Sequence, residues 1–159
     1  MAVTGRLYSV SFTATSISAV QDLFNIISGA SKITAIHSVE LAQITQTTVG
    51  ALRVRFRYVP ATVTNGSGGA AATPRPFVVG DAAATFTARV NDTTQASSSG
   101  TIVDIWSDQW NLLNGFLWVP PAVNRPIVVA QSAAFVVSLD VAPGSAITCS
   151  GTIVVEELP

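Results

Sequence analysis

The chain is poor in the residues that usually do chemistry. Its 159 residues include one cysteine, one histidine and one methionine. Only 11% are Asp, Glu, Lys or Arg, against about 25% in ordinary soluble domains. Cys149 alone excludes an intrachain disulfide, and no Cys-x-x-Cys pair or Cys/His zinc set can be assembled. His37 alone excludes a centre built on two imidazoles, a cupin-like metal site included. Eight basic against nine acidic residues give a net charge of −1. That excludes general nucleic-acid binding, whose affinity comes from an excess of Lys and Arg over the polyanion. The N-terminus lacks a basic segment followed by an apolar stretch, so secretion is not expected. The two N-x-[ST] matches, at Asn65 and Asn91, then carry little meaning. No run reaches the roughly 18 consecutive apolar residues that cross a bilayer as a helix. Low charge does not mean disorder, because 48% of the residues are hydrophobic.

What is abundant is alternation. Tyr8, Val10, Phe12 and Ala14 fall on one side of an extended chain, and Ser9, Ser11, Thr13 and Thr15 on the other. The same period of two recurs in Ile33–Leu41, Leu52–Tyr58, Phe86–Val90, Phe135–Val141 and Ile147–Val155. Thr101–Trp106 and Phe116–Val119 are short and rich in Ile, Val and Trp, which suits strands as well. About eight or nine strands separated by Gly, Pro, Asn and Ser turns predict one all-β domain, a sandwich or barrel. One stretch competes with that pattern. Val20, Leu23, Phe24 and Ile27 have helical spacing, with Ser18 and Gln21 as a capping box and Gly29 as a stop. Ala19–Ile27 therefore reads equally as one short helix or an irregular strand. Pro60–Asp81 is expected to be a long Gly/Ala/Pro-rich loop and Asn91–Gly100 a second flexible connection.

Arg53, Arg55 and Arg57 alternate with apolar neighbours, so a strand places all three guanidinium groups on one face, about 6.5–7 Å apart. Such a stripe suits an anion or a protein partner. Alternatively it is a solvated sheet face neutralised by cross-strand acids such as Glu40. His37 shares the face of Ile33, Val39 and Leu41 and reads as a hydrogen-bonded core or interface residue. Trp106, Trp110 and Trp118 lie among Asp104, Asp108, Gln109, Asn111 and Asn114. Exposed rings beside amides and carboxylates would make a sugar platform, whereas buried ones fill a core or subunit interface. Glu156 and Glu157 are adjacent on a strand and face opposite sides, so they cannot grip one bond together. Asp104 and Asp108 lack the dense oxygen pattern of a calcium loop. No Gly-rich phosphate loop opens a helix, and Ser97–Ser99 has no His near it in sequence. Neither catalysis nor a cofactor is expected.

Several segments resemble a group of small virion proteins of tailed bacteriophages. They are Leu7–Phe12, Ala19–Ile26, the Gly-Ser-Gly-Gly and Thr-Pro-Arg-Pro motifs of Gly66–Pro76, Ala88–Thr94 and Ser150–Glu157. The resemblance spans nearly the whole chain and carries no catalytic residue. It implies a jelly-roll subunit that binds the major capsid protein as a head decoration (cement) protein, or a component of the tail or the head–tail junction. It also implies a place in the virion after assembly in the cytoplasm of a host bacterium. On separate grounds, a chain so sparsely charged is expected to self-associate and hide its apolar surface. The resemblance favours a homotrimer. Arg53, Arg55, Arg57, Arg75, Trp106, Trp110 and Trp118 are the candidate partner contacts.

Overall fold

The computed structural model describes residues 5–45, 48–123, 125–128 and 131–159. Residues 1–4, the start of the N-terminal stretch in which no secretion signal is expected, lie outside these. Among the described residues there is no helix. The strands are β1 (Arg6–Ile17), β2 (Asp22–Ile27), β3 (Ile33–Gln43), β4 (Ala51–Val59), β5 (Val63–Thr64), β6 (Ala70–Ala72) and β7 (Arg75–Pro76). They continue as β8 (Thr87–Asp92), β9 (Ser97–Ser98), β10 (Val103–Asn111), β11 (Phe116–Trp118), β12 (Ile127–Val128), β13 (Ala134–Leu139) and β14 (Ile147–Leu158). Eight of them run six residues or longer; the six alternating segments fall on β1, β3, β4, β8, β13 and β14, and Thr101–Trp106 and Phe116–Val119 overlap β10 and β11.

Two antiparallel sheets pack face to face as a β-sandwich. One has the order β11-β3-β14-β1-β7, with β12 also paired to β3; the other has the order β10-β4-β13-β2-β8-β6. The chain crosses between the sheets from β1 to β2, β2 to β3, β3 to β4, β6 to β7, β7 to β8, β10 to β11, β12 to β13 and β13 to β14. Hence sequence neighbours face each other across the core, a jelly-roll-like connectivity. The crossings also give the sandwich two lateral edges. Trp118 of β11 stacks on Phe56 of β4, and Phe12 of β1 packs on Phe24 of β2. One edge is therefore formed by β10 and β11, the opposite one by β6 and β7. Tyr8, Val10, Phe24, Phe56, Phe135, Ile153 and Val155 are among the side chains that fill the space between the sheets.

The helical alternative for Ala19–Ile27 is wrong: Asp22–Ile27 is β2, held between β13 and β8. Its period of two is hidden because both faces are covered, and every residue from Gln21 to Ile26 is buried. Fully buried strands read as continuous runs rather than alternations. Gly29 is no helix stop; a Cβ there would meet the Thr85 carbonyl oxygen at 2.7 Å, so it permits a close backbone approach.

The long loop expected over Pro60–Asp81 carries three short strands, β5, β6 and β7. β6 pairs with β8, β7 pairs with β1, and β5 pairs with β9. The β5–β9 ribbon covers the outer face of the second sheet. There Val59, Ala96, Ala134 and Val136 form a second small core, with Ile27, Val63 and Ile102 against it. Backbone pairing orders a segment whose side chains contribute little burial.

Candidate functional site

The arginine stripe stands where the alternation puts it, on the outer face of β4, but acids from elsewhere in the fold neutralise it. Arg53 pairs with Asp140, and Arg55 bridges Asp140 at 2.9 Å and Asp104 at 3.3 Å. Arg57 lies 3.7 Å from Asp104 and 3.9 Å from Asp22. Glu40, the acid suggested by sequence, is on the other sheet opposite Leu117. The stripe deepens along its length. Arg53 is exposed, whereas Arg57 is buried beneath the ribbon. The Arg57 guanidinium donates to the Ser138 hydroxyl at 3.3 Å, and that hydroxyl donates to Asp22 at 2.7 Å. The Ala96 N–H also donates to Asp22, at 2.6 Å. Burial nevertheless raises the Asp22 carboxyl above its ordinary value, the two hydrogen bonds and the Arg57 charge offsetting only part of the desolvation. Asp22 and Asp140 were missed by sequence reasoning because their partners are distant in the chain. An Asp inside the apolar run of β2 was the available signal.

The three tryptophans do not form a platform. Trp118 is buried, with its ring centroid 4.2 Å from that of Phe56. Trp110 is also buried, and its indole N–H donates to the Asn114 carbonyl at 3.0 Å. Only Trp106 presents its ring to solvent, at 50% exposure. The register explains the split. Trp106 and Trp110 lie opposite Phe56 and Leu52 on the core-facing side of β10, and this edge strand is exposed along most of its length.

His37 leaves the core face on which strict alternation places it. The pairing of β3 with β14 shifts between Val154 and Val155, and Ile36 and Val39 are both buried. His37 instead contacts Glu156, Nε2 to Oε2 at 2.6 Å, with Arg125 3.8 Å from the same carboxylate. Glu157 points to the other side, as expected. It is buried and accepts from the Thr85 N–H at 2.7 Å and the Thr85 hydroxyl at 2.5 Å. Cys149 is fully buried, and desolvation pushes its thiol up to about 12. Among the described residues no group of three His, Cys, Asp or Glu side chains is placed to hold a metal ion. Asp104 and Asp108 diverge: Asp104 meets the arginines, while Asp108 lies opposite Val54 on the core-facing side.

The surface also carries a groove and two groups of exposed apolar side chains. A groove of about 690 Å³ lies where the chain crosses from β6 to β7, lined by Ser9, Ser11, Thr13 and Thr15 of β1, by Gly68–Thr73 and by Arg75. Next to it, Phe77, Val78 and Val79 form an exposed turn, with Val79 99% exposed. The Phe77 N–H donates to the Leu7 carbonyl at 3.0 Å, so the turn continues the β7–β1 pairing. Exposed apolar side chains also gather on the opposite edge: Val103, Ile105 and Trp106 on β10, and Leu117 of β11. Phe77–Val79 carried no separate signal in the sequence, because they fall inside Pro60–Asp81, read from its composition as a loop.

No family model, no curated protein and no solved structure matches the chain.

Proposed function

We propose that the chain is a structural subunit that works by binding other proteins, of the head decoration (cement) type found on tailed bacteriophage particles. The observation that carries this reading is the concentration of exposed apolar side chains on both lateral edges of the sandwich. Isolated apolar residues on a surface need no explanation, but groups of them mark interaction sites. The jelly-roll-like connectivity supports the reading by analogy, since such sandwiches build viral capsids, although they also build lectins and cupins. On this proposal the partner is the major capsid protein, the subunits associate in a homotrimer, and the protein resides in the virion after assembly in the host cytoplasm. The sugar-platform alternative has less support, because two of its three rings are buried.

The test is a mass-spectrometric inventory of purified particles, combined with co-sedimentation of the purified chain with empty shells. Stoichiometric copies in particles and saturable binding to shells are expected. A chain absent from particles and unable to bind shells or tails overturns the proposal.

A further inference from the structure

The charged side chains are almost completely paired within the chain, and two of the three exceptions fall on opposite edges, the third, Glu40, lying on the interior strand β3. Among the described residues, which include all eight Lys and Arg, Arg75 alone has no carboxylate partner. Of the nine acids, only Glu40 and Asp108 have no cationic partner. Arg75 is on β7 and Asp108 on β10, strands that end different sheets on opposite flanks of the sandwich. They cannot meet within one chain.

Each of these charges has an exposed aromatic ring two residues away. Arg75 is followed by Phe77, which extends the β7 pairing, and Asp108 is preceded by Trp106 on the same side of β10. Residues two apart on a strand share a face at roughly 6.5–7 Å. One edge therefore offers a cation and a ring, and the other offers a carboxylate and a ring at the same spacing. In antiparallel apposition each charge can meet its opposite or lie over the facing ring, and Arg over Trp is itself a favourable contact.

We infer that the chain self-associates head to tail, the β7 edge of one copy, with Arg75 and Phe77, docking on the β10 edge of the next, with Asp108 and Trp106. A second copy is the occupant because one chain carries both halves of the complementary pair. Such a contact is heterologous: it closes into a ring if the rotation permits and otherwise grows. It also covers the free hydrogen-bonding edge of β10, a long exposed edge strand of the sort that proteins protect. This inference deepens the structural reading proposed above and rests on it.

Sedimentation velocity of the purified full chain from 1 to 100 µM tests it, with Arg75→Glu, Asp108→Lys and the double charge swap. The wild type is expected to form species larger than a dimer, weakening as salt rises from 50 to 500 mM. Each single variant loses at least tenfold in association, and the double swap recovers it. Both positions are exposed and unpaired, so unchanged circular dichroism and melting midpoints establish that the variants fold. A wild type that remains monomeric at 100 µM overturns the inference, as does assembly that stops at dimers or single variants that associate normally. Shell binding by a monomeric chain defeats self-association and leaves the particle reading intact; an oligomer that ignores particles does the reverse.

Discussion

Replacing each stripe arginine by methionine tests whether the stripe holds the fold together or serves a partner. Methionine keeps much of the aliphatic stem and removes the charge. The Arg53 side chain is 55% exposed, so its loss removes a solvent-screened pair worth about 0–1 kcal/mol. Arg55 is 25% exposed with two partners and is expected to cost roughly 1 kcal/mol. Arg57 is different. Its side chain is 10% exposed and that of Asp22 1% exposed, so Arg57→Met leaves a buried carboxylate without its cation. Breaking such a pair costs about 3–5 kcal/mol. The 3.9 Å separation, with two remaining hydrogen bonds to Asp22, places this case near the lower figure. Against a total stability of about 5–15 kcal/mol that is a large fraction. Urea unfolding followed by tryptophan fluorescence measures the series. The penalty also has a sign in pH. Burial raises the Asp22 carboxyl, so its contribution to stability is complete below the ordinary value of 3.8 and is lost as pH rises through the folded value. The Arg57→Met cost is therefore largest near neutrality and shrinks as acid protonates Asp22. In Asp22→Asn that pH dependence disappears, and the double variant costs less than the sum of the singles. An Arg57→Met penalty equal to that of Arg53→Met, or unchanged between pH 7 and pH 3.5, refutes the reasoning.

Three further outcomes follow from the packing. Cys149, fully buried with its thiol pushed up to about 12, is expected to resist a thiol reagent at pH 8 in the native state and to react on unfolding. Prompt native labelling contradicts its placement. Trp118→Ala, which empties the stack on Phe56 and Phe135, is expected to cost about 3–5 kcal/mol, whereas Trp106→Ala changes stability by less than about 0.5 kcal/mol. Equal effects in thermal melts count against the core assignment. Gly69→Ala places a Cβ 2.1 Å from the Val90 carbonyl oxygen, so it separates β6 from β8. Faster hydrogen exchange at Ala70–Ala72 and their β8 partners checks this, and unaltered exchange contradicts it.

Sequence alone determined the fold class, because a strand with one face in the core writes its exposure as an alternation. β14 is the clearest case, twelve residues alternating buried and half-buried from Ile147 to Leu158. The opposed directions of Glu156 and Glu157 and the common face of Arg53, Arg55 and Arg57 followed from the same period. Composition likewise carried the shortage of catalytic and metal-ligating residues. Tertiary structure decided what each side chain meets. β2 lost its alternation because the ribbon covers its second face, and a bulge of one residue moved His37 from the core to Glu156. The arginines found Asp22, Asp104 and Asp140 through contacts spanning 35 to 87 positions, which no local pattern encodes. Trp118 of β11 packs into the core, while Trp106 and Trp110 parted on β10, an edge strand buried at Trp110 and open at Trp106. Local periodicity fixes which way a side chain points; the order of strands in the sheets fixes what lies there to receive it.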